Sequence, residues 1–93
     1  MHQVIVFHHA HDDHVDAFAD FMGRVIATVE GADGLIEFSA WRDVGSSRLV
    51  ATSRWTSAEA FQAALPLVTS LAAERRPEWT VRPDELFVTE RLD

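Results

Sequence analysis

The chain contains no cysteine, which removes disulfides, thiolate zinc sites and cysteine nucleophiles together. It has no lysine either, all 8 bases being arginine, so Schiff-base chemistry is excluded. No apolar run approaches the roughly 18–20 residues that a membrane span needs. The opening Met1-His2-Gln3 lacks the basic and apolar regions of a secretory signal. A cytoplasmic address with no membrane partner is the expectation. Bases are scarce against acids, 8 against 15, for a net charge of −7 with histidines neutral. Without a basic stripe, phosphate-backbone binding is disfavoured and nucleic acid is not an expected partner.

What is present fits a single globular domain over residues 1–93, with 47% apolar and 25% charged residues. A chain this short buries only about 60–65% of its unfolded surface. A lone monomer is therefore marginal without a metal, a disulfide or a partner subunit. All 5 histidines fall within the first fourteen residues, the oddest feature of the composition.

Val4-Ile5-Val6-Phe7 is a β-branched and aromatic run, predicting a strand over 2–9. A loop follows, in which Asp13 is placed to cap a helix and Asp16 to sit in its first turn. Val15, Phe18, Met22, Val25 and Val29, with Phe21 and Ile26 beside them, form one broad helical face. Gly31 and Gly34 stop that helix. Leu35–Arg42 and Arg48–Trp55 read as an antiparallel hairpin around Asp43-Val44-Gly45-Ser46-Ser47. Its register is open: an even-sum pairing puts Trp41 and Trp55 on one face, whereas a one-residue slip sets Arg54 beside Glu37 and separates the tryptophans. Thr56 and Glu59 have capping-box spacing, opening a second helix through Ala60, Phe61, Ala64 and Leu65. Pro66 predicts a break, with a further helical piece through Leu71 to Arg75. Residues 85–92 read as a closing strand.

The order βαββαβ predicts an α+β, ferredoxin-like arrangement: a four-stranded antiparallel sheet with helices on one face. Ile36, Phe38, Val50, Phe87 and Val88 alternate too weakly to leave the other face wet. A homodimer with facing sheets is the economical cover.

Gly34-Leu35-Ile36-Glu37-Phe38, followed by Arg54-Trp55-Thr56-Ser57-Ala58-Glu59-Ala60-Phe61 across a strand-to-helix junction, resembles the antibiotic biosynthesis monooxygenase domain. The resemblance covers nearly the whole chain. It implies a dimeric α+β barrel with a pocket between sheet and helices in each subunit. Some members oxidise anthrone-type polyketides with molecular oxygen and no flavin or metal, so no cofactor is expected. Others degrade haem.

Residue by residue, the resemblance is mixed. Trp55 matches the pocket tryptophan of the anthrone oxygenases, while their asparagine and tyrosine fall at Ala51 and Phe61. Arg75 is the counterpart of an arginine further along the helical region. The tryptophan and histidine of haem-degrading members fall at Ala64 and Glu74, and their first-strand asparagine near Ile5, which disfavours that activity.

Cofactor-free oxygenation needs a base and a dry site that stabilises an anion. Neutral histidine suits the base role because its unperturbed pKa is about 6.5. His9 shares strand parity with Ile5 and Phe7, toward the pocket side that the resemblance implies, and His8 would then face the other way. His9 is the candidate base, and a polar residue at an exposed strand end is the competing reading. Trp55 is a pocket wall or a packing anchor, and Arg75 an anion stabiliser or a solvated charge. Phe7, Phe18, Phe21, Met22, Ala51, Phe61 and Leu65 are candidate pocket residues, most of them core positions by periodicity. The His8, His9, His11 and His14 cluster matches no ligand motif, so no metal site is expected. The resulting reading is a small monooxygenase acting on an aromatic or polyketide-like substrate. The alternative is a barrel that binds a small ligand, or serves structurally, without chemistry of its own.

Overall fold

The computed structural model describes residues 1–93. Strand β1 (His2–His9) leads through a 3₁₀ turn at Asp12–His14 into helix α1 (Val15–Val29), followed by β2 (Leu35–Arg42) and β3 (Arg48–Trp55). Helix α2 (Ala58–Thr69), two further 3₁₀ turns at Ala72–Glu74 and Pro77–Trp79, and β4 (Glu85–Glu90) complete the chain. The strands form one antiparallel sheet in the order β2-β3-β1-β4. This is the ferredoxin-like α+β fold, as the element order predicts.

The hairpin takes the slipped register. Glu37 pairs with Arg54 and Trp41 with Val50, after an irregularity between Leu35 and Glu37. The tryptophans therefore lie on opposite sheet faces. Along β1, His2 pairs with Trp55, Val6 with Ala51 and His8 with Leu49. Val4, Val6 and His8 thus share a face with Leu49, Ala51, Ser53 and Trp55, all buried on β3. Ile5, Phe7 and His9 take the opposite face, with Val50, Thr52 and Arg54.

Helix α1 buries Phe18, Phe21, Met22, Val25 and Val29, the stripe expected from their spacing. The first four pack with Leu49, Ala51 and Trp79 in the main core. A second cluster joins Val4, Trp55 and Ala64, flanked by Phe61, Ala60 and Leu35. Trp55 is only 1% exposed, and its Nε1 donates to Ser53 Oγ at 2.8 Å. Gly34 holds a positive φ of 82°, and a Cβ there would stand 2.5 Å from that of Ala60. Glycine at this point lets the β2 entry meet the first turn of α2.

Three local expectations are corrected. Asp13 does not cap α1: its backbone N–H donates to His11 Nδ1 at 3.1 Å within the 3₁₀ turn, and the α1 N-cap, His14, makes no side-chain bond. The α2 cap is Ser57 rather than Thr56, its Oγ accepting from the Ala60 N–H at 3.1 Å. Pro66 does not break α2, which runs unbroken to Thr69. Proline forfeits the bond to the Gln62 carbonyl, but both residues are exposed, so water can satisfy that group.

Candidate active site

A cavity of about 260 Å³ lies between the sheet and the helices. Its walls are mostly apolar: Phe18, Phe21, Met22 and Val25 from α1, Val6, Phe38, Ala51 and Leu86 from the sheet, and Val68 near the end of α2. Beyond Thr69, the polar lining is confined to His8, Arg75 and Asp84.

These three residues form one assembly. Arg75, just past α2, donates from Nη1 and Nη2 to the two oxygens of Asp84 at 2.7 and 2.8 Å. His8 Nδ1 stands 3.1 Å from Asp84 Oδ1, at an approach too bent for a full hydrogen bond, and otherwise finds no partner. Phe18 braces both groups, its ring centroid 4.8 Å from that of His8 and 4.9 Å from the Arg75 guanidinium carbon. Burial pushes the Asp84 carboxyl pKa up, but His8 and Arg75 outweigh it and hold the group well below the usual carboxylate range. Asp84 is therefore an ionised carboxylate with an imidazole beside it and a guanidinium bound to both of its oxygens. Nε2 of His8 is the ring nitrogen left for a ligand.

Of the residues singled out from the sequence, Phe18, Phe21, Met22, Ala51 and Arg75 line this cavity. Phe7, His9, Trp55, Phe61 and Leu65 do not. His9 and Phe7 lie on the opposite sheet face because the helices cover the even-numbered side of β1. His9 Nε2 contacts Glu85 Oε1 at 2.7 Å, and Arg82 Nη2 lies 3.3 Å from Nδ1, so both ring nitrogens are engaged. Trp55 sits in the second cluster with Phe61, ring centroids 5.7 Å apart, behind the cavity wall at Val6.

His8 and Asp84 are the functional candidates that the sequence reading missed. The available signal was the alternation on β3, where Arg54 and Thr52 are polar and Trp55, Ala51 and Leu49 apolar. Pairing then carries that polarity to β1. No three histidine, aspartate or glutamate side chains gather with metal-ligand geometry. A broader depression of about 410 Å³ at the hairpin end, walled by Trp41, Arg42, Asp43 and Arg48, is open to solvent. Its charges are already paired, Arg48 with Asp43 and Arg42 with Asp16, each at 2.9 Å.

The fold recurs among solved structures. Rv0793 from Mycobacterium tuberculosis superposes with a TM-score of 0.86 at 21% identity, over 99% of this chain and 95% of that one. PA3566 from Pseudomonas aeruginosa gives 0.83 at 16% identity, over 99% and 94%. An arginine-to-serine mutant of MhuD, with two manganese protoporphyrin IX bound per active site, gives 0.81 at 26% identity, over 100% and 97%. No curated protein matches the chain. The family model described as antibiotic biosynthesis monooxygenase matches residues 1–75, and the chain therefore belongs to that family.

Proposed function

We propose that this chain is a monooxygenase that oxidises a small aromatic compound of the anthrone type with molecular oxygen, using no flavin or metal. The observation that carries the reading is an apolar cavity whose single imidazole, His8, lies against an ionised carboxylate, Nδ1 3.1 Å from Asp84 Oδ1. A small turn of the ring that straightens this contact places the Nδ1 proton on Asp84 and leaves Nε2 as an acceptor, the arrangement of a carboxylate-oriented general base. Nε2 takes the proton of the substrate's acidic C–H, and the carbanion passes an electron to oxygen. Recombination forms a C–O bond, and the peroxide anion takes the proton back from Nε2 to give a hydroperoxide. Loss of water, with the second hydrogen of that carbon, leaves a ketone, so one oxygen atom enters the quinone and the other leaves as water. The Arg75–Asp84 pair fixes the imidazole, and Phe18 and its neighbours keep water out.

The tetrapyrrole seen in MhuD is not the ligand this reading favours: Ala64, at the position where haem-degrading members carry a tryptophan, is packed in the second cluster.

The working unit in this reading is a homodimer of single-domain subunits, acting in the cytoplasm. No helix is long and apolar enough to cross a membrane. On the sheet face away from the helices, Trp41 and Phe87 are 56% and 48% exposed, and Phe87 stacks edge-on with Phe7 at 6.0 Å. A second sheet is the cover such a face fits.

The test is oxygen uptake by chelator-treated, untagged protein supplied with dithranol, against a buffer blank. Uptake above the blank with quinone formed supports the reading. Tight binding with uptake at the blank rate favours a binding protein without chemistry, a reading helped by Ala51 and Phe61, neither of which can hydrogen-bond a phenol.

A further inference from the structure

The polar end of the cavity holds one guanidinium and one carboxylate, and each is committed to the other. Arg75 places both terminal nitrogens on Asp84, at 2.7 and 2.8 Å. A ligand in the cavity therefore meets no free guanidinium. The Arg75–Asp84 pair carries no net formal charge, and Asp84 sets a carboxylate against the cavity.

We infer that Asp84 is a specificity-determining residue, which makes the cavity select neutral, hydrogen-donating aromatic ligands and reject carboxylates of the same shape. Three physical terms act together. An entering carboxylate is desolvated among apolar walls, which is costly for an unpaired charge. It faces the Asp84 carboxylate at short range in a medium of low effective dielectric. It also gains Arg75 only by displacing Asp84 from a bidentate pair. A neutral hydroxyl or amide N–H meets none of these costs, and it finds acceptors in His8 Nε2 and the Asp84 oxygens. The inference deepens the proposed oxygenase reading and rests on the same cavity as its site, but it concerns binding alone.

The experiment is calorimetric titration of the full chain with naphthamide and naphthoate substituted at the same ring position. These probes match in shape and differ in charge. Measurement at a pH of about 8 keeps the naphthoate ionised. Naphthamide is expected to bind at least about tenfold more tightly than naphthoate. In Asp84→Asn, with folding confirmed by circular dichroism, Arg75 is released and naphthoate is expected to gain at least about tenfold relative to naphthamide. Equal or tighter binding of naphthoate by the unmodified chain overturns the inference, as does failure of both probes to bind. An unchanged ratio in folded Asp84→Asn also overturns it. Because the first comparison uses the unmodified chain, a variant that fails to fold does not remove the test. Selective binding without oxygen uptake from dithranol would sink the oxygenase reading and leave this inference standing. Oxygen uptake without charge selection would do the reverse.

Discussion

Arg75 and Asp84 form a bidentate pair at 2.7 and 2.8 Å that closes one end of an otherwise apolar cavity. The two residues stand nine positions apart in sequence, and the irregular chain between them includes the 3₁₀ turn at Pro77–Trp79. Trp79 anchors that segment, its ring centroid 5.7 Å from both Phe18 and Phe21.

This pairing gives stability a defined pH dependence. The Asp84 pKa is lowered in the folded chain from its ordinary 3.8. The unfolded chain therefore binds this proton at higher pH than the folded chain does. The resulting stabilisation is fully present above the ordinary value and is lost as pH falls below it toward the folded value. Thermal unfolding followed from neutral pH down to about pH 3 should show a falling Tm. In Asp84→Asn the fall should be shallower, from a lower starting Tm. An acid limb as steep in the variant as in the parent would contradict the assignment.

Phe18 supports both core and site. It is fully buried and packs on Phe21, Trp79, His8 and Arg75. Phe18→Ala should cost about 3–5 kcal/mol, read as a lower denaturant midpoint with little change in slope. A loss under about 1 kcal/mol would show that the packing is not as described.

Trp55 belongs to the core rather than to the cavity lining. Trp55→Phe removes the indole donor to Ser53 Oγ and leaves that buried hydroxyl short of a partner, at a cost of about 1–3 kcal/mol. Denaturant unfolding should register this loss, while the turnover rate of the folded variant should stay within about threefold of the parent. A large drop in turnover with stability intact would place the indole at the substrate.

The exposed pair Trp41 and Phe87 gives a test of the dimer. Phe87→Asp puts a charge on the open sheet face, where desolvation on docking is costly. Sedimentation should show dimer for the parent chain and monomer for this variant. A monomeric parent would remove the facing-sheet assembly.

The helix stripe of α1, all four strands and the start of α2 soon after Trp55 were legible because each rests on local periodicity or turn chemistry, whereas the choice of Ser57 over Thr56 as the cap was not, since both offer a hydroxyl. The sidedness of β1 was not. Val4, Ile5, Val6 and Phe7 are all apolar, so the strand carries no alternation to say which histidine faces the helices. Only the pairing of His8 with Leu49 and of Val6 with Ala51 decides it. The Arg75–Asp84 contact was hidden for a related reason: its loop has neither helix nor strand period. Pro66 misled because a breaker's effect depends on whether its orphaned carbonyl reaches water, which is a tertiary property.

The central claim is that His8, not its neighbour His9, is the base. The most direct measurement compares steady-state oxygen uptake from dithranol in His8→Gln and His9→Gln, each confirmed as folded. Loss of a positioned general base typically costs about 10²–10⁴-fold in rate. The account predicts a loss of that order in His8→Gln, and a rate within about threefold of the parent in His9→Gln. Loss confined to His9→Gln, with His8→Gln active, would contradict it.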